Sequence, residues 1–248
     1  MNVQDISLVC GIMFVASTVR SALGFGEALI AMPLLAFVVP LNIAAPFVAM
    51  VSMLNACLIL AREWRMISFR ETGSLTVAAL VGVYFGQKLL GLQGYDSIVK
   101  GSLAVVILIF SGWSLWSPQA FRLKTDRMAP VFGFISGVLG GAYNTAGPPL
   151  VMFGTLRRWP TERFRANLQS YFLAGGTTVL AFHCYNGRVT ADVLTLFAIV
   201  VPVIFLTSFL GRLLTQHISP TQFLKIVHVA LLLVGSLLLA ASMKSLLT

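Results

Sequence analysis

Apolar residues in this chain fall into ten runs separated by short polar stretches. The runs cover Ile6–Ala22, Ala28–Val39, Ala45–Ala61, Ser74–Leu90, Ile98–Trp116, Ala129–Leu139, Pro148–Leu156, Leu168–Tyr185, Val193–Leu214 and Phe223–Leu246. A helix that crosses a bilayer needs about 20 mostly apolar residues. Six runs reach that length and the first comes close to it, whereas the second, sixth and seventh are shorter. The pattern predicts an all-α polytopic membrane protein, with no polar stretch large enough for a separate soluble domain.

The short runs occur in pairs. The first pair flanks Gly24-Phe25-Gly26 and the second flanks Gly140-Gly141-Ala142. Glycine weakens a helix, and Pro33 and Pro148 have no N–H to give the preceding turn. Each pair therefore predicts a helix–break–helix hairpin or one discontinuous span, and the charges discriminate between these. If each pair turns back to the side it came from, twelve basic residues share one side: Arg62, Arg65, Arg70, Arg122, Lys124, Arg127, Arg157, Arg158, Arg163, Arg165, Arg212 and Lys225. Lys88, Lys100, Arg188 and Lys244 lie opposite. If each pair is a single span, the same residues divide eight to eight. Basic residues concentrate in cytoplasmic loops, so the hairpin topology is expected, with both termini outside. The N-terminal run lacks a basic leader and an A-x-A-like cleavage site, which predicts a retained first span.

A weak internal repeat accompanies the pairs. SALGFGEALIAMPLL at 21–35 matches SGVLGGAYNTAGPPL at 136–150 with an offset of 115, aligning Ser21 with Ser136, Gly26 with Gly141 and Pro33 with Pro148. Gly86-Gln-Lys-Leu-Leu echoes Gly211-Arg-Leu-Leu at a shifted offset. Each half then holds five segments, a hairpin pair and three spans, with residues 1–120 as the N-terminal repeat and 121–248 as the C-terminal repeat of one transmembrane domain. An odd number of crossings inverts the second repeat. Inverted repeats recur in secondary transporters, whose sites lie at the repeat interface near the midplane. Close packing by glycine and alanine would yield similar motifs without a repeat.

Composition narrows the picture. Hydrophobic residues make up 58% of the 248 and charged residues 10%, with a mean hydropathy of +0.90, so the chain cannot clothe a water-facing surface. The net charge of +9 sits in short loops and reads as topology, not as a nucleic-acid surface. Cys10, Cys57 and Cys184 are scattered, which predicts neither a disulfide frame nor a metal site. There is no P-loop, HExxH or GxSxG motif, so neither an ATP-driven pump nor an enzyme is expected, and no cofactor.

Polar groups at membrane depth mark candidate chemistry. Arg20 and Glu27 flank the first break and are the only charged residues between Asp5 and Arg62. They predict an anion-coordinating arginine beside a carboxylate that pairs with it or carries a proton; a plain structural pair is the alternative. At the second break Tyr143, Asn144 and Thr145 bring neutral hydrogen-bonding groups, and the backbone N–H groups from Gly140 to Gly147 are expected to be exposed. Free N–H groups at helix N-termini bind anions. The candidate substrate-binding set is Arg20, Ser21, Gly24, Gly26, Glu27, Gly140, Gly141, Asn144, Thr145, Gly147 and Gln169, with Glu27 the candidate for proton coupling. Asn55 and Ser170 could line the same cavity, and His228 is expected to serve packing.

At GFGEALIAMPLL and GVLGGAYNTAGPPLVMFGTLRRWPTERFRANLQ the chain resembles the sulfite exporter TauE/SafE family of membrane transporters. The family's Gly-rich stretch followed by Pro falls on Gly24, Gly26 and Pro33 and again on Gly140, Gly141, Gly147 and Pro148, while Glu27 stands where many members carry a further glycine. The resemblance implies a secondary transporter, with export favoured, that moves a small sulfur-containing anion such as sulfite or an organosulfonate across the bacterial inner membrane. The implied partners are that anion, membrane lipid and a possible second copy in a homodimer. An importer, a carrier of a small carboxylate or a cation, and a non-transporting scaffold or biogenesis factor are the alternatives.

Overall fold

A computed structural model describes residues 3–90, 96–116, 122–217 and 220–247. Among these, every long element is helical: α1 (Val3–Leu23), α2 (Glu27–Leu35), α3 (Leu41–Glu63), α4 (Phe69–Leu90), α5 (Asp96–Trp116), α6 (Ala129–Tyr143), α7 (Gly147–Leu156), α8 (Thr161–Tyr185), α9 (Ala191–His217) and α10 (Pro220–Leu247). All ten runs thus became helices. By length and composition the stretches Gln4–Leu23, Leu41–Met66 and Ala191–Gly211 can each cross a membrane. The remaining long helices, of 22, 21, 25 and 28 residues, extend into polar ends. Large apolar side chains cover the outer faces, among them Val77, Val81 and Phe85 of α4, Phe205 and Phe209 of α9, and Leu233 and Leu237 of α10. Exposed apolar surface on this scale belongs against lipid.

Helix starts follow local chemistry. Proline is tolerated in a first turn because its missing N–H would be unpaired there. Pro40 and Pro160 cap α3 and α8 with nearly the same backbone angles, φ −58°, ψ 147° and φ −57°, ψ 144°. The first break turns at Gly24 (φ 83°) and Gly26 (φ 97°), angles that disfavour a side chain. The second turns at Asn144 (φ 54°). It therefore lies beyond Gly140 and Gly141, which remain helical within α6.

Those glycines have a packing role instead. A Cβ on Gly137 would stand 2.2 Å from the Ala79 carbonyl oxygen, and one on Gly141 2.5 Å from that of Val83. Gly82 and Gly86 reciprocate against Phe134 and Val138. Backbone thus meets backbone along α4 and α6, which run parallel because 133, 137 and 141 meet 75, 79 and 83 in order. Small residues permit this approach where lipid offers no hydrophobic drive.

Two other pairs run antiparallel. Glu63 of α3 reaches Arg165 near the start of α8, and Ala49 packs with Val179 near its end. Gly101 of α5 lies beside Ser242 of α10, and Leu108 beside Gly235. The helix bounds also recur at a constant spacing. Leu23 and Tyr143 end α1 and α6, Glu27 and Gly147 begin α2 and α7, and Leu41 and Thr161 begin α3 and α8, each pair 120 residues apart. Contacts recur at a similar spacing. Gly86 stands against the Val138 oxygen, Gly141 and the Ala142 nitrogen, and Gly211 against the Thr18 oxygen, Ser21 and the Ala22 nitrogen. The structural spacing is five residues longer than the sequence alignment of 115. The aligned glycines, Gly26 and Gly141, have different roles, since one turns the chain and the other packs two helices. The boundary at 120/121 and the side chains of Lys100 and Arg212 lie outside the described residues.

Candidate functional site

Glu27 begins α2 immediately after the first break, and the turn at Gly24 and Gly26 folds it back against α1. Its carboxylate is wholly buried and accepts four hydrogen bonds. Oε1 takes Ser17 Oγ at 2.7 Å and Asn55 Nδ2 at 2.6 Å. Oε2 takes Arg20 Nη1 at 3.0 Å and Ser52 Oγ at 2.9 Å. Arg20, 4% exposed, gives its Nη2 to Gln169 Oε1 at 3.0 Å, and its guanidinium lies 5.0 Å from the Phe172 ring centroid. Its Nε has no protein partner. A buried pair of this kind holds only when its remaining lone pairs and protons are satisfied. Here three neutral donors and Arg20 satisfy the carboxylate, and the guanidinium Nε is left without a protein acceptor.

The carbonyls ending α1 are held from α8. Gln169 Nε2 donates to the Gly24 oxygen, and Arg165 Nη1 donates to the Ala22 oxygen at 3.4 Å while its Nη2 pairs with Glu63 at 3.2 Å. A cation suits this negative end of a helix. Gln169 is thus a bracket that orients Arg20 and closes the first break.

A cavity of about 50 Å³, counted as space open to the centre of a water-sized sphere, lies between the two breaks. That is room for roughly three or four waters. Arg20, Gly26, Glu27, Gly140, Asn144, Thr145 and Gly147 of the expected set line it; Ser21, Gly24, Gly141 and Gln169 do not. Ser21 packs against Gly211, and Gly141 against α4, its carbonyl taking Gln87 Nε2 at 2.9 Å. Arg20 and Glu27 are the only charged residues among the described lining. Ala49, Val83 and Val179 make an apolar wall, and Gly175 and Gly176 flatten the face of α8.

The second break offers fewer backbone donors than the sequence implied. Residues 140–143 spend their N–H groups inside α6, Asn144 N bonds the Gly140 oxygen at 2.9 Å, and Thr145 N bonds the Leu139 oxygen at 3.2 Å. Pro148 and Pro149 have no N–H, so the first turn of α7 presents Gly147 alone. The first turn of α2 presents Glu27, Ala28 and Leu29. The second break is instead tied to the scaffold: Asn144 Nδ2 donates to the Ala45 oxygen and Ser136 Oγ to the Ala146 oxygen.

Sequence reasoning passed over Ser17, Ser52, Ser136, Tyr171 and Phe172. The Ser17/Arg20 and Ser52/Asn55 spacings, three residues on one helical face, were the available signal. Asn55 is in the cluster around Glu27, but Ser170 bonds only the carbonyl of Asn167, at 2.9 Å. His228 packs 5.4 Å from the Phe110 ring.

Apolar helices with large exposed apolar side chains define a multi-pass membrane protein, with a buried polar pair at its first helix break and a small cavity between the two breaks. The family model described as "Sulfite exporter TauE/SafE" matches residues 9–238, and the chain belongs to that transporter family. It is 24% identical over 226 residues to the "Probable sulfite/organosulfonate exporter TauE" of Cupriavidus necator, covering 89% of this chain and 88% of that protein. No solved structure matches the chain.

Proposed function

We propose that this protein is a secondary transporter that carries a small sulfur-containing anion, sulfite or an organosulfonate, outward across the bacterial inner membrane. The observation that carries the reading is the buried Arg20 on the wall of a small cavity, its Nε unpartnered, with Glu27 and Gly147 at the starts of α2 and α7 in the same lining. Helix N-termini and a guanidinium are complementary to an oxyanion. A cation carrier fits poorly, because each Glu27 oxygen already accepts two hydrogen bonds. Each Glu27 oxygen already holds two donors and Oε2 pairs with Arg20, so we assign Glu27 as counter-charge to Arg20 and not as a proton carrier. Unchanged pH dependence of transport in Glu27→Gln proteoliposomes would support that assignment.

The antiparallel pairs α3/α8 and α5/α10 support a topology in which the second helix pair turns back, since a straight-through span would make both pairs parallel. We read the halves as inverted repeats, with the basic loops in the cytoplasm and both termini outside. Outward movement suits an anion, because each negative charge leaving a cell gains about 2.3 kcal/mol per 100 mV of inside-negative potential. Thermal stabilisation of purified protein by sulfite, organosulfonates, small carboxylates and divalent cations tests the reading. Sulfite or an organosulfonate should stabilise the wild type and not Arg20→Ala. Stabilisation by cations alone would overturn it, and retained sulfite affinity in the variant would remove Arg20 from the site.

A further inference from the structure

Five polar residues make up the cluster at the first break, and at the recurring spacing of 120 four of them have glycine as counterpart. Ser17 corresponds to Gly137, Arg20 to Gly140, Glu27 to Gly147 and Asn55 to Gly175. The fifth, Ser52, corresponds to Phe172. All five counterparts line the cavity. In one half these positions build a satisfied carboxylate, and in the other they leave space. A Cβ on Gly147 would meet nothing within 4 Å, and one on Gly175 only Tyr171 Cε1 at 3.9 Å. Gly137 also serves the α4 contact, and Gly140 is tight against Ala146 at 3.0 Å, so the open side of the cavity is at Gly147 and Gly175.

We propose that the cavity is a socket for a single singly charged anionic group, occupying the position that a second Glu27 carboxylate would take, and that Gly147 and Gly175 set its size. The inference rests on the transporter reading above. Charge balance carries the second part. Arg20 and Glu27 cancel, the start of α2 presents roughly half a positive charge, and the start of α7, where Gly147 alone has a free N–H, presents less. No more than about one unit of positive potential, together with Arg20 on the lining and its Nε unpartnered, therefore balances the solute. A monoanion such as hydrogen sulfite or a short alkylsulfonate is matched there, with any alkyl group against Val83 and Val179. A dianion brings one charge too many into a low-dielectric site.

Proteoliposomes measure this directly. Wild type should move methanesulfonate at least about tenfold better than sulfate, the penalty of one uncompensated charge being no smaller than that. Gly147→Glu places a tethered carboxylate in the socket: it should fold, lose methanesulfonate transport, and lose the thermal shift that methanesulfonate gives the wild type. Gly147→Ala and Gly175→Ala, which need only a methyl group's room, should shift preference from methanesulfonate toward sulfite. Gly11→Ala, in open space on the outer face of α1, should change nothing. Equal transport of sulfate and methanesulfonate overturns the charge argument, and unaltered preference in both alanine variants overturns the socket. If wild type moves neither anion, the transporter reading fails as well, an outcome distinct from the other two.

Discussion

Removing the Glu27 carboxylate is the perturbation with the largest expected effect. Glu27→Leu leaves the Arg20 guanidinium, 4% exposed, without its counter-charge, and takes the acceptor from Ser17, Ser52 and Asn55. Breaking a buried ion pair by deleting one partner costs about 3–5 kcal/mol. For a chain of this length each kcal/mol moves the midpoint by roughly 2–4 °C, so apparent Tm should fall by about 6–20 °C. The double variant Arg20→Met/Glu27→Leu removes both charges and keeps most of the volume, so it should recover a large part of the loss. Purified protein in detergent, followed by tryptophan fluorescence during heating, measures both single variants and the double at one scan rate. A single-variant loss below about 1 kcal/mol, the value of a solvent-screened pair, would refute the picture of a desolvated pair. So would a double variant whose loss equals the sum of the two singles, because residues in contact should couple.

Gly26→Ala, at φ 97°, should lower stability by about 1–2 kcal/mol through left-handed strain, read as a drop in Tm without altered oligomer size. Gly137→Ala should be worse than typical overpacking at about 1–3 kcal/mol, because the added methyl meets the backbone of Ala79 at 2.2 Å; loss of monodisperse protein after detergent extraction is the measure. Arg165→Gln breaks the pair with Glu63, whose side chains are 24% and 28% exposed. It should therefore cost no more than about 1 kcal/mol in the same melting measurement, a direct contrast with Arg20. For topology, an impermeant maleimide added to intact cells should label Asn186→Cys and not Lys124→Cys in a background without native cysteines; the reverse pattern would invert the orientation.

Much of the architecture was legible in hydrophobicity. Ten apolar runs became ten helices, because a span must satisfy its own backbone hydrogen bonds and exclude charge, and both demands act on local sequence. Arg20 and Glu27 were legible for the same reason: charge is so costly at membrane depth that it marks itself. The register of the two halves was not. Alignment by shared glycines set the offset at 115, and the helix ends set it at 120, because one glycine type serves two purposes that composition does not separate. Gly26 makes a left-handed turn, whereas Gly141 lets α6 reach the α4 backbone.

Local sequence was enough to establish that this chain lives in a membrane, where its helices run, and that two charged residues, Arg20 and Glu27, flank a break at membrane depth. Those properties depend on the free energy of short segments against lipid and water. Folding selected the partners of Glu27, drawn from α1 and α3, and the bracket of Gln169 from α8, 149 residues from Arg20. It also left the second break, where Pro148 and Pro149 follow, without the donors its glycines had promised, and it faced Gly147 to open space and Gly141 to a helix. A cavity depends on which side chains are absent from a shared volume, and that is known only once distant helices have been brought together.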